Sequence, residues 1–202
     1  MRRAVIDPAG FEAKFREVID PWNYASSPFE AHKRAILLRA CGARHFGRGL
    51  ELACAIGETT RALAPRCLRL LAVDASPTAL EEARRRAGAR RNVTFRRALL
   101  PRDAPRGPFD LIVVSEILYY LRPNDLRLLL LRLERALARG GRLVVLHHLR
   151  DFDDAAIRPR IAQDRAVRTL RKRMTPAFLH RTDRFQAAAF DRNAGRRGAK
   201  GT

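Results

Sequence analysis

Apolar positions along the 202-residue chain follow two periods. Short continuous apolar runs end in small or acidic residues, and between them lie segments whose apolar residues recur every three or four positions. The first kind reads as buried strand and the second as amphipathic helix. Arg48–Ala53 predicts a strand, Gly57 to about Leu63 a helix, and Arg69–Asp74 a second strand ending in an acid. Strand, tight turn, helix, strand and acid make the first half of a doubly wound nucleotide-binding sheet. Asp74 stands 21 residues after Ala53, near the ~20 expected between such a turn and a ribose-binding carboxylate. The turn departs from its usual glycine-rich pattern, because Ala53 and Ala55 stand where glycines are common and only Gly57 remains.

The same two periods continue on both sides. Upstream, Phe11, Phe15, Val18 and Ile19 are spaced for a helix that runs into Asp20-Pro21-Trp22-Asn23-Tyr24. Ser27-Pro28-Phe29-Glu30 is a capping box with proline at the first helical position, so a helix from Pro28 to about Cys41 is expected, ended by Gly42. Downstream, Ser76-Pro77 starts a helix to about Ala87, and Val93–Arg96 and Phe109–Glu116 read as strands. A leucine stripe from Leu126 to Leu137 predicts a helix over about Asn124 to Ala138, with Gly140-Gly141 as its terminator and a strand at Arg142–His147. A basic amphipathic helix over about Asp153 to Lys172, and a closing antiparallel pair at Thr175–Arg181 and Arg184–Phe190, complete the pattern. Alternating strands and helices with fully apolar strands imply an α/β fold, a doubly wound, mostly parallel sheet covered on both faces. The expected division is N-terminal lid helices over 1–42, the main domain over 43–190 and a disordered basic tail over 191–202.

Composition narrows the function classes. No run approaches the ~18 consecutive apolar residues of a membrane span, and the basic N-terminus lacks the apolar stretch of a signal peptide. Cys41, Cys54 and Cys67 fit neither a metal-binding pair nor a disulfide framework, so no metal and a reduced, cytoplasmic setting are expected for a monomer. The net charge of +20 is compatible with a nucleic-acid binder. Yet 37 of the 41 basic residues are arginines spread along helix faces, as in Arg84, Arg85 and Arg86, which favours solvated surface over a nucleic-acid footprint.

Ligands of a doubly wound sheet bind outside the carboxyl ends of its strands. Glu51, Asp74, Ser115-Glu116 and His147 all fall at those ends. There is no phosphate-cradling G-x-x-x-x-G-K-[ST] and no G-x-G-x-x-G, so phosphates and dinucleotides lack a seat. Glu51 would repel a phosphate and accept an amino group. A ribose, an ammonium and no phosphate describe S-adenosylmethionine.

These residues resemble the class I S-adenosylmethionine-dependent methyltransferases, whose first motif is E-x-G-x-G-x-G, over about residues 45–150. The stretches DPWNYASSPFEAHKRAILL, FDLIVVSEILYYL, GGRLVVLHH and HRTDRF extend the resemblance to the nodulation protein S family of N-methyltransferases, over about residues 11–190. That resemblance implies a seven-stranded sheet with a reversed last strand, N-terminal helices over the cofactor, and methylation of an amine on a saccharide-like or other small-molecule acceptor. By position it implies that Glu51, Ala53, Cys54, Ala55 and Gly57 form the cofactor turn, that Asp74, with Ala75 beside it, holds the ribose, and that Trp22 and Tyr24 belong to the lid. Ser115, Glu116 and Tyr119 then line the acceptor side, Ser115 where it also meets the cofactor. His147 faces them as the candidate base and Glu116 or a tyrosine hydroxyl positions the amine. Two departures stand out: Ala53 replaces a glycine, and Ala98-Leu99 stand where many members carry an acid against the adenine. A nucleic-acid methyltransferase or binder, and a non-catalytic relative, remain the competing readings.

Overall fold

The apolar runs assemble into one sheet in the computed structural model, which describes residues 5–194. Its strands are β1 (Phe46–Leu52), β2 (Cys67–Asp74), β3 (Val93–Arg97), β4 (Phe109–Ser115), β5 (Leu137–His148), β6 (Thr175–Arg181) and β7 (Phe185–Asp191). The seven-stranded order is β3-β2-β1-β4-β5-β7-β6. Pairings from β3 through β5 are parallel, and β7 runs antiparallel to both β5 and β6. The chain reverses direction across the sheet between β1 and β4, so the crevice expected for a ligand opens above their carboxyl ends.

Both faces are covered, which explains why the middles of the central strands are apolar. On one face Leu50, Leu52, Ile112, Val114, Leu143 and Val145 pack against α5 (Pro123–Ala136) and α6 (Pro159–Arg171). On the other, Leu111, Val113, Val144 and Leu146 lie beneath α2 (Pro28–Cys41) through Ile36, Leu37 and Ala40. α3 (Glu58–Leu63) and α4 (Pro77–Ala87) flank β2, and α1 (Pro8–Glu17) crosses the start of α4. α2 and α4 begin and end where their caps predict: Ser27 Oγ accepts from Glu30 N at 3.3 Å, and Ser76 Oγ accepts from Ala79 N at 3.0 Å. The three cysteines are free and buried, and no helix among the described residues is long and apolar enough to cross a membrane.

Four boundaries differ from expectation, each for a local reason. α1 stops at Glu17; Val18 is extended and 52% exposed, so it and Ile19 do not continue the apolar face. Asp20 bends the chain instead, its carboxylate accepting from Tyr24 N at 2.7 Å and Ala25 N at 2.9 Å. α5 ends at Ala136, because Leu137 is already extended and pairs with Phe109. Gly140 and Gly141 therefore lie inside β5, where Gly140 adopts φ 71° as five positions of β5 pass two of β4, an irregularity of the bulge type. The basic helix begins at Pro159, whose ring suits a first turn and not a helix interior. At the C-terminus, Asp191 closes β7 and Arg192 exchanges backbone hydrogen bonds with Gly140 and Gly141, so order extends past the expected boundary; the rest of the expected tail, 195–202, lies outside the described residues.

Candidate active site

The turn after β1 keeps the glycine conformation without the glycines. Ala53 has φ 55° and Ala55 φ 47°, both left-handed, and Gly57 has φ 82°. At Gly57 the need for glycine is double, since a Cβ there would lie 3.0 Å from the Ala83 Cβ and 3.2 Å from its Cα. The alanines carry ~1–2 kcal/mol of strain each, held in place by the surroundings: Cys54 N donates to Val73 O at 3.1 Å, and Ala55 N donates to Asp74 Oδ2 at 2.9 Å. Asp74 Oδ1 accepts from Ser76 N at 2.9 Å. Each Asp74 oxygen thus keeps lone-pair capacity for a ligand hydroxyl. Burial pushes this carboxyl above its ordinary value, against the pull of those backbone donors.

Glu51 points from the other face of β1 and is 2% exposed. Its one side-chain hydrogen bond among the described residues is Thr60 Oγ1 donating to Oε2 at 2.5 Å. Burial raises its carboxyl to about 8, the Thr60 bond opposing and the Asp74 charge adding. Glu51 is therefore largely protonated near neutrality.

Glu116, just past β4 and itself left-handed at φ 54°, has the opposite surroundings. Its Oε2 accepts from the Tyr119 hydroxyl at 2.7 Å and from His148 N at 3.1 Å, and lies 3.2 Å from His148 Nδ1. Its Oε1 forms an ion pair with Lys33 of α2, which is 5% exposed and also donates to Glu30 Oε1 at 2.9 Å. Burial alone would raise the Glu116 carboxyl, but the Lys33 and His148 charges and the His148 hydrogen bond hold it well below the usual range. Burial and the Glu116 charge push the Tyr119 phenol well above its ordinary value.

His147 does not join this group, which corrects its assignment as the base. It is fully buried, with Nδ1 2.8 Å from Gln163 Oε1 and Nε2 3.1 Å from Leu118 N. Gln163 Oε1 accepts the Nδ1 proton, and Nε2 accepts from Leu118, so neither nitrogen is free. Burial lowers this imidazole to about 4 and keeps it neutral. Its work is to hold the turn at Leu118 that carries Tyr119. The neighbouring His148 faces the opposite side of β5 and is the histidine at Glu116.

A lid closes over the strand ends. Trp22 packs its ring 5.5 Å from Phe15 and 5.7 Å from Tyr24, and Phe11 meets Tyr120 edge-on at 4.7 Å. Glu12 of α1 fastens it: Oε2 accepts from Ser76 Oγ at 2.6 Å and Thr78 N at 3.3 Å, and Oε1 accepts from Thr78 Oγ1 at 2.6 Å. Despite partial burial, those donors draw the Glu12 carboxyl down to about 2.

Two adjoining cavities lie beneath the lid. The larger, about 330 Å³, is lined by Trp22, Ala53, Asp74, Ala75, Ala98 and Tyr120 among others. The smaller, about 50 Å³, is lined by Tyr24, Lys33, Arg34, Glu51, Cys54 and Ser115 among others, while Tyr24, Ala53, Ala55 and Glu116 line both. Gly57 lines neither and serves the turn. The structure thus gathers the expected turn residues, Asp74, Ala75, Ser115, Glu116 and Trp22 around one space, with Tyr119 behind Glu116. Lys33, Arg34, His148, Glu12 and Thr60 were not anticipated. Strand parity separates His148 from His147, because Val145 faces α5 and α6 as His147 does, and Leu146 faces α2 as His148 does. No comparable signal marks Lys33, three residues after a capping glutamate.

A space at the switch point of a 3-2-1-4-5-7-6 sheet, with an acid at the end of β2 and a left-handed turn after β1, defines the class I methyltransferase fold. The family model described as Nodulation protein S (NodS) matches residues 12–146. The chain belongs to that family. Nodulation protein S of Rhizobium tropici is 37% identical over 127 residues, covering 62% of this chain and 53% of that protein. Its counterpart from Bradyrhizobium diazoefficiens is 42% identical over 108 residues, covering 52% and 51%. The chain matches about half the length of these curated relatives. The crystal structure of the N-methyltransferase NodS from Bradyrhizobium japonicum WM9 in complex with S-adenosyl-L-homocysteine superposes with TM-score 0.79 at 25% identity, covering 93% of this chain and 99% of that one.

Proposed function

We propose that this chain is an S-adenosylmethionine-dependent N-methyltransferase whose acceptor is an amine on a saccharide or similar small molecule. The observation that carries the reading is the pair of joined cavities, with Asp74 in the larger and both Glu51 and Arg34 in the smaller. The donor set fits the cofactor: Asp74 offers acceptor lone pairs to ribose hydroxyls, Glu51 suits an ammonium, and Arg34 beside Lys33 suits a carboxylate. Ala75 and Ala98 give the adenine end an apolar wall, with no carboxylate at position 98 or 99. Bound there, S-adenosylmethionine supplies a methyl group already activated by its sulfonium. The family and the N-methyltransferase named among the solved structures support the nitrogen acceptor.

The chain's own residues then have three tasks. Tyr24, Trp22 and Phe11 exclude water from the cavities and hold the reacting groups together, an effect that can supply ~7–11 kcal/mol. Glu116, kept ionised by Lys33, attracts the cationic acceptor and stabilises positive charge forming on its nitrogen, with Tyr119 fixing Oε2. His148, whose Nδ1 donates to that same oxygen at 3.2 Å, offers its other ring nitrogen, Nε2, to take up the proton the amine must lose.

Calorimetric titration with S-adenosylhomocysteine, followed by a methyl-transfer assay on a chitin-type oligosaccharide bearing one free glucosamine amine, tests the reading. Saturable binding and a 14-dalton mass gain are expected, the latter being one CH₂. Binding without transfer to any amine would point to a non-catalytic relative, and no binding would remove the proposal.

A further inference from the structure

The opposite end of the sheet carries a second concavity, about 760 Å³, between the loop 101–108, the end of α5 and the start of β5. Its position at Phe109 and Leu137 places it a full strand length, roughly 20 Å, from Ser115 and His148. Six arginines line it, Arg102, Arg106, Arg132, Arg135, Arg139 and Arg192, and no carboxylate does. Some arginines elsewhere sit on acids, as Arg85 and Arg86 do on Glu82, Arg142 on Asp191 and Arg173 on Glu134; what marks the hollow is six guanidinium-bearing side chains around one space.

Within the concavity the six divide by what they touch. Arg192 donates to Glu134 O and Leu137 O, capping α5, and Arg132 donates to Pro101 O and Arg102 O, fixing the loop. Arg102 pairs with Asp103. Arg106, Arg135 and Arg139 make no hydrogen bond or ion pair with any described residue. Complementing the negative end of α5 accounts for one or two cations, and Arg192 already occupies that role. Three further guanidiniums around one hollow are exposed and pair with no acid among the described residues, so they are available to an anion.

We propose that this hollow binds a small oligophosphate, either free or as the diphosphate or triphosphate of a metabolite. Planar guanidiniums match phosphate oxygens in pairs, and several phosphates close together meet several arginines. The lining holds no aromatic side chain on which a base would stack, which favours a compact anion over single-stranded nucleic acid. The proposal is independent of the methyl-transfer reading.

Titration of the full-length protein at low salt with inorganic tripolyphosphate tests it, with adenosine triphosphate as the metabolite-borne arm. One saturable site is expected, weakening as salt rises. In R106A/R135A/R139A its affinity should fall roughly ten-fold or more, with S-adenosylhomocysteine binding and circular dichroism unchanged. The surface control R85A/R86A should bind as the parent does. Should the triple variant melt early, R106A and R139A singly, each expected to weaken binding a few-fold, decide the matter. Absence of a saturable site, equal loss in the control, or a site saturated by an RNA oligomer that tripolyphosphate cannot displace would each overturn the proposal.

Discussion

Replacing Ala53 and Ala55 by glycine should stabilise the protein. Both alanines adopt left-handed backbone, at φ 55° and 47°. The Cβ clash costs ~1–2 kcal/mol per residue, and the greater freedom of glycine in the unfolded chain takes back ~0.4–1 kcal/mol. The remainder is about 0.5–1 kcal/mol per site, or about 1–2 kcal/mol for A53G/A55G, with some departure from additivity between near neighbours. For a domain of this size that is a rise in Tm of about 3–6 °C. The strain belongs to the turn itself, anchored by Cys54 to Val73 and by Ala55 to Asp74. Glycine therefore relieves it with and without ligand, and the Kd for S-adenosylhomocysteine should move less than about three-fold. Thermal melts and calorimetry on the single and double variants measure both quantities. Gly57→Ala is the opposing control, expected to cost more than ~2 kcal/mol, because it adds both a left-handed alanine and a contact with Ala83. A lower Tm in both single variants would refute the reasoning. An unchanged Tm with ten-fold tighter binding would show that the strain is incurred only on binding.

Other consequences follow from the buried groups. Glu51, at about 8, is about four-fifths protonated at pH 7.4, so S-adenosylhomocysteine should displace close to one proton there and almost none at pH 9.5; calorimetry in buffers of different ionisation heat reads this directly. Because its folded value lies above the ordinary 4.5, Glu51 adds stability below about pH 4.5 that is lost as pH rises through 8, about 1.4 kcal/mol per unit, and Glu51→Gln should flatten that slope. His147→Ala should cost roughly 2–4 kcal/mol in urea unfolding through two broken hydrogen bonds and a cavity, yet leave the midpoint of the kcat/KM pH profile in place. His148→Asn should instead lower kcat with little change in Kd for the cofactor. Lys33→Met leaves Glu116 without its cation, and should lower kcat at least ten-fold while raising the pH at which Glu116 ionises, visible by difference infrared titration of the carboxylate.

Legibility in the sequence followed the range of the interaction. The strands, the α2 and α4 caps and the reversed last strand were written locally, in apolar runs, in Ser-Pro pairs and in the motifs of a known family. Boundaries failed where a tertiary contact outvoted local chemistry. Gly140-Gly141 look like a helix stop, but pairing of Leu137 with Phe109 ends the helix earlier and turns the glycines to a bulge. Val18 and Ile19 look like core, but Asp20 captures Tyr24 and Ala25 and leaves them outside. The left-handed turn after β1 was readable because its residues are consecutive. The Glu116 group was only half readable, because Lys33 and His148 reach it from 83 and 32 positions away, and whether a strand-end histidine faces one layer or the other depends on a one-residue shift in register.

That group also shows why two buried glutamates at the ends of adjacent strands have different work. Glu51 and Glu116 are both removed from water, and burial alone would neutralise both. Glu51 has a single hydroxyl for company among the described residues and is raised to about 8, so it holds a proton near neutrality. Glu116 has Lys33 and His148 and stays charged. Pairs of acids driven apart by their surroundings are how one site divides binding from proton handling. Lys33 belongs to α2, the helix that follows the loop bearing Trp22 and Tyr24, so the charge on Glu116 depends on the N-terminal helices being docked. The N-terminal segment and the end of β4 are therefore one electrostatic unit: the helix that follows the loop bearing Trp22 and Tyr24 supplies the cation that keeps Glu116 ionised.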